Sequence, residues 1–132
     1  MRRAAVLLAL LTCLAAPATA GAKQLTRYDV GGGLAGRYDS VTISTGGKAH
    51  QFGDGGEHRW TVSTKKLRGL KRAFKAARWS SLKREYRPDT PVFDGTTQTV
   101  TYRGKQITIS TGGEIPDRLQ RVIARIRRLM RS

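Results

Sequence analysis

Side chains that do acid–base or metal chemistry are sparse in this sequence, and where they gather they sit among glycines. The two histidines, His50 and His58, enclose Asp54 and Glu57 in a stretch that also holds Gly53, Gly55 and Gly56. Metal ligands need a rigid frame with supporting hydrogen bonds behind them, so this composition reads as solvated loop, and no metal site is expected. General acid–base catalysis draws on His, Glu or Asp held in a pocket. The chain has three glutamates and six aspartates, mostly beside glycines or in predicted loops, with no paired-carboxylate pattern. G-x-S-x-G, H-E-x-x-H and Walker-type spacings are absent, so neither an enzyme nor a cofactor is expected.

The spacing that stands out is Gly31-Gly32-Gly33-Leu34-Ala35-Gly36, with Asp29 before it and Asp39 after it. Glycine adopts positive φ without strain and allows close backbone approach, which suits a loop offering one apolar side chain at its tip. The same residues also suit a hairpin connection whose Leu34 folds back into the core. The segment lacks the Lys and Ser/Thr of a phosphate cradle and the helix such a loop opens.

Arg2 and Arg3, the apolar run Ala4 to Ala16 and the small-x-small Ala18-Thr19-Ala20 describe a secretory signal peptide at residues 1–20. Its apolar run is too short for a membrane span. Leu10-Leu11-Thr12-Cys13 matches a lipoprotein box poorly, so cleavage before Gly21 is expected, giving a secreted, periplasmic or envelope protein with one domain over residues 21–132. Cys13 is the only cysteine, so the processed domain has no thiol chemistry and no disulfide. The formal net charge is +16, and loss of Arg2 and Arg3 leaves 23 basic against nine acidic groups, a net +14. Such a surface attracts polyanions.

Alternation predicts strands at Leu25–Val30 and Val41–Ser44 flanking the glycine segment, and a looser hairpin over residues 46–58 leading into Arg59-Trp60-Thr61-Val62. Leu67, Leu70, Phe74 and Ala77 recur at helical spacing after Ser63 or Thr64, either of which can cap the helix. A loop with Pro88, Pro91 and Asp94-Gly95 follows, then a hairpin Thr97–Tyr102 and Lys105–Thr111 across Arg103-Gly104. Pro116 and Asp117 open a last helix with Leu119, Val122, Ile123, Ile126, Leu129 and Met130 as its apolar stripe. The expected architecture is α+β, a single antiparallel sheet of about four to five strands packed against two helices.

The polar faces of those helices are cationic. Arg118, Arg121, Arg125 and Arg128 share a stripe on the second, and Arg68, Lys71, Arg72 and Lys75 lie opposite the apolar face of the first. Two cationic ridges side by side would bind an anionic polymer, a cell-wall polymer or nucleic acid, whereas a solvated face is the commoner fate of such rows. Aromatics interleaved for base stacking are absent from them.

The succession of strand, Gly-Gly-Gly-Leu-Ala-Gly, strand and helix with Leu70-Lys71-Arg72-Ala73-Phe74-Lys75-Ala76-Ala77 resembles the emfourin family. The resemblance continues through the Pro-containing loop with Asp94, the hairpin Thr99-Val100-Thr101-Tyr102 to Ile107-Thr108-Ile109, and Pro116-Asp117-Arg118-Leu119, spanning almost all of residues 25–130. Emfourins are small proteins that inhibit thermolysin-like zinc metallopeptidases. The resemblance implies a partner peptidase that takes a bulky apolar side chain just after the scissile bond, with the loop Gly31, Gly32, Gly33, Leu34, Ala35 and Gly36 entering its cleft. It implies flanking contacts from Asp29 and Asp39 with the peptidase zinc or a cleft arginine, although aspartates also commonly bracket turns, and no cofactor of the inhibitor's own. Asp94 matches a family position, and an Asp-Gly turn or cap explains it structurally. This chain departs from the family pattern in its glycine-rich hairpin at residues 46–58 and in its higher positive charge, which would suit an acidic peptidase.

Overall fold

A computed structural model describes residues 23–131. The expected signal peptide and Cys13 lie outside the described residues. Seven strands and two helices follow one another as β1 (Gln24–Gly32), β2 (Arg37–Ser44), β3 (Lys48–Gly53), β4 (Gly56–Thr61), α1 (Thr64–Ala76), a 3-10 turn (Trp79–Ser81), β5 (Glu85–Tyr86), β6 (Thr96–Tyr102), β7 (Lys105–Ser110) and α2 (Asp117–Leu129).

The strands form one sheet in the order β4-β3-β2-β1-β6-β7-β5. This corrects the expected sheet of about four to five antiparallel strands: there are seven, and β5 runs parallel to β7. Two features hid the extra strands. The looser hairpin expected over residues 46–58 is two full strands of the sheet, β3 and β4; its polar residues gave little sign of that because β4 lies at the sheet edge, where Lys48, His50, Glu57 and Arg59 are solvated and only Ala49 and Trp60 turn toward the core. Strand β5 is two residues long and has no periodicity of its own. It exists because the 3-10 turn is anchored at Lys105, where β7 begins, so the chain leaving that turn runs alongside β7 in the same direction, and Thr108 N–H reaches Arg84 O at 2.8 Å.

Register sorts the side chains into two faces. Val41, Tyr28, Val100 and Ile107 lie in one cross-strand row, and Ala49, Ile43, Thr26 and Tyr102 in the next; all are buried. Both helices cover this face. Ser63 caps α1, its Oγ accepting from Lys66 N–H at 3.3 Å, and Leu67, Leu70 and Phe74 are buried. Helix α2 buries Leu119, Val122, Ile123, Ile126 and Leu129, with Asp117 at its positive end. Among the described residues no helix is long and apolar enough to cross a membrane.

Aromatic packing and one ammonium tie α1 to the sheet. Phe74 stacks on Tyr102 with centroids 3.9 Å apart, and Trp79 stands edge-on to both rings. Lys105 Nζ donates to the carbonyls of Trp79 and Ser80, at 3.1 and 2.9 Å, and of Leu82, so its three protons close the 3-10 turn. Trp79 Nε1 returns a bond to Lys105 O at 3.3 Å. Helix α2 is fixed by Arg127, which donates to Tyr28 Oη at 3.1 Å and to Gln98 Oε1 at 2.9 Å. Phe74→Ala should destabilise the fold by about 3–5 kcal/mol. Lys105→Met, which takes the ammonium from three carbonyls and leaves that of Trp79 with the Leu82 N–H, should cost about 1–3 kcal/mol, both read by chemical denaturation.

Candidate partner-binding surface at the sheet end

Gly31 and Gly32 belong to β1, so the connection is the four-residue turn Gly33–Gly36, closed by Gly36 N–H to Gly33 O at 3.0 Å. Gly32, Gly33 and Gly36 have φ of 104°, 79° and 57°, conformations that L side chains resist, which is why this segment is rich in glycine. Leu34 is second in the turn and 86% exposed. Of the two sequence readings, the structure has the apolar side chain at the tip.

A second turn stands beside the first. Gly95 N–H closes on Val92 O at 3.1 Å, and the residue second in that turn, Phe93, is 98% exposed. The two turns are joined by Gly33 N–H to Gly95 O at 3.3 Å, and a Cβ on Gly32 would lie 2.9 Å from that same carbonyl. Thr111 pins the base of the second turn, its Oγ1 accepting from Thr96 N–H at 2.7 Å. Val92, Tyr38 and Phe52 are also exposed, and pairing of Gly32 with Thr96 and Arg37, and of Gly53 with Asp39, puts all five apolar side chains at this one end of the sheet.

The flanking carboxylates are engaged inside the chain. Arg27 Nε donates to both oxygens of Asp29 at 3.0 Å, and Tyr38 Oη donates to Oδ1 at 3.1 Å. Asp29 and Tyr38 together hold the Arg27 guanidinium above its ordinary pKa. Asp39 accepts from Gln51 Nε2 at 3.0 and 2.9 Å. Both aspartates therefore brace β1, β2 and β3 beneath the turn. Asp94 is third in the Phe93 turn and exposed.

His50, opposite Arg59 in the register of β3 and β4, reaches Glu57 diagonally at 2.8 Å, and Arg59 is 2.6 Å from the same carboxylate oxygen. Among the described residues no group of three or more His, Cys, Asp or Glu is placed to hold a metal ion.

The cationic rows meet only in part. Helices α1 and α2 run antiparallel: Arg125 packs on Gly69, and Arg118 reaches Ser81 Oγ at 3.2 Å just beyond α1. Arg68 and Arg72 face Arg118, Arg121, Arg125 and Arg128 across a groove. Lys71 and Lys75 fall on the other side of α1, beside Arg78, Arg103 and Lys105. The row read as one on the first helix is thus divided between two surfaces.

Phe93 and Val92 went unnoticed in the sequence. The available signal was an aromatic residue amid Pro88, Pro91, Asp94 and Gly95 with no apolar periodicity to bury it; its place beside Leu34 follows only from pairing of β1 with β6.

Gly32→Ala should destabilise the chain by about 1–3 kcal/mol in chemical denaturation, because φ is positive and the Gly95 carbonyl blocks the added methyl. Arg59 first, and then His50, hold the Glu57 carboxyl below the usual carboxylate range. Its stabilising contribution is present above the ordinary glutamate pKa and fades as pH falls through the lowered value. A carbon-13 titration should show that lowered midpoint, with Arg59→Ala raising it more than His50→Gln does.

The pattern of a family described as a domain of unknown function, DUF6438, matches residues 38–130. Among curated proteins none matches the chain. The family match begins just past the Leu34 turn and takes in the Phe93 turn, both helices and β3 to β7. Covering well over half of the chain, it shows that this protein belongs to the DUF6438 family.

Proposed function

We propose that this protein inhibits a thermolysin-like zinc metallopeptidase outside the cytoplasm, seating the Leu34 turn in the cleft of the peptidase. The observation that carries this reading is Leu34, 86% exposed at the tip of a turn that is closed by Gly36 N–H to Gly33 O and tied to the neighbouring turn by Gly33 N–H to Gly95 O. A preorganised apolar tip loses little entropy on binding, which is what a wedge inhibitor requires. Support also comes from the emfourin-like order of elements around that turn, and from Phe93, which offers a second anchor next to the first.

In this reading Leu34 fills the pocket for the residue after the scissile bond, and the Gly33–Gly36 backbone lies along the cleft. Asp29 and Asp39 act from beneath by holding Tyr38 and Gln51 rather than by reaching the peptidase zinc. The inhibitor brings no cofactor and performs no chemistry. An acidic peptidase would meet the positive chain faster, with a rate that falls as salt rises.

The test is inhibition of a thermolysin-like peptidase by the protein and by its variants. Leu34→Asp should weaken inhibition at least about 30-fold, as expected of a central anchor worth 2 kcal/mol or more, and Phe93→Ser should weaken it less. Equal inhibition by the protein and by Leu34→Asp, or none by either, overturns the reading.

A further inference from the structure

The groove between α1 and α2 takes no part in the proposed inhibition, and its electrostatics are unusual. Six arginines, Arg68 and Arg72 from α1 and Arg118, Arg121, Arg125 and Arg128 from α2, line it, and among the described residues no acidic side chain does. Arg27–Asp29, His50–Glu57, Arg59–Glu57 and Arg87–Glu85 are ion pairs formed by residues of the strands and their flanks. None reaches Arg68, Arg72, Arg121 or Arg125. Facing rows of like charge raise the energy of the free protein, and an anion lying between them relieves that repulsion.

The groove also selects among anions. Arginine four residues from arginine repeats every ~6 Å along a helix, so each wall presents a ladder of guanidinium forks that bind phosphate oxygens in pairs. Between the arginines the lining is small, Gly69 beneath the Arg125 guanidinium with Ala73, Ala76, Ala77 and Ala124, which leaves room for a polymer backbone to lie along the groove. No aromatic side chain lines the groove, so bases have nothing to stack on. No large apolar side chain lines it either, so a protein partner would lack the anchors that such interfaces are built on.

The geometry points to a binding site for a linear phosphodiester polymer, held through its backbone alone and without preference for sequence. The charge that matters is the facing pair of ladders and not the total. Lys71 and Lys75, on the other side of the same helix, contribute nothing to it. The groove shares no residue with the Leu34 and Phe93 turns, so the polymer binds whether or not those turns are intact.

The experiment is a fluorescence titration of the protein with a labelled homothymidine oligonucleotide across a range of salt. Log affinity should fall against log salt with a slope of about −3 to −4, corresponding to four to six phosphates contacted at ~0.7 each. Arg72→Glu with Arg121→Glu should weaken binding roughly tenfold or more, whereas Lys71→Glu with Lys75→Glu, the same change in net charge, should leave it nearly unchanged. Arg72→Gln with Arg121→Gln, which removes the charges without reversing them, must show the same ranking and serves if the Glu pair fails to fold. Homoadenosine oligonucleotide should bind equally well, and Leu34→Asp should bind like the parent. Equal loss in the two charge-reversed pairs would show diffuse attraction by the whole surface and overturn the site. Polyglutamate binding as tightly as the oligonucleotide would make the groove a docking place for acidic protein, which also overturns it.

Discussion

Strand β1 is paired along its length on both sides, with β2 on one edge and β6 on the other, and the rest of the molecule is arranged around that constraint. A central strand must satisfy its backbone on both edges and present one face to a core, so its residues alternate between Thr26 and Tyr28 inside and Arg27 and Asp29 outside. Tyr28 sits at the crossing point. Buried between Val41 and Val100, it keeps its hydroxyl satisfied through Gln98 and Arg127, and so couples the centre of the sheet to the last turn of α2.

The same double pairing creates the apolar sheet end. Gly32 is opposite Arg37 on one side and Thr96 on the other, so the turn that leaves β1 and the turn that enters β6 must stand next to each other. Their contact is backbone to backbone, through Gly33 and Gly95, and this leaves Leu34 and Phe93 pointing outward. A side chain at Gly32 would push the two turns apart. The aspartates beneath them act as braces, because a carboxylate already bonded to Arg27 and Tyr38, or to Gln51, holds strands in place.

Charge is distributed with equal economy. Asp29, Glu57 and Glu85 pair with cations along the sheet, where exposed pairs contribute little to stability but keep strand edges soluble. The helices carry rows of arginine, supported by apolar faces that bury five residues on α2 and three on α1. Burial of those faces against the sheet outweighs the repulsion between the rows, which allows a groove of like charge to persist in a folded chain.

Much of this was legible in the residues. Helical periodicity marked Leu67, Leu70 and Phe74 and then Leu119 to Leu129, Ser63 was recognisable as a cap, and Arg103-Gly104 as a two-residue turn, both residues of which have positive φ. These are interactions within a few positions of the chain, and side-chain type and spacing determine them directly. The glycine cluster likewise announced a turn with special backbone conformations. What the sequence could not determine depends on pairing between distant segments. The expected hairpin of β3 and β4 joined the one sheet because β2 offered an edge, and β5 became a strand because the 3-10 turn is moored at Lys105. Phe93 came to stand beside Leu34 because β1 met β6 some seventy residues away, and the basic row of α1 was divided by where α2 packed. Local propensity carries no information about which edge or which helix arrives next to a residue; that choice belongs to burial of the whole apolar surface at once, and only the tertiary structure makes it.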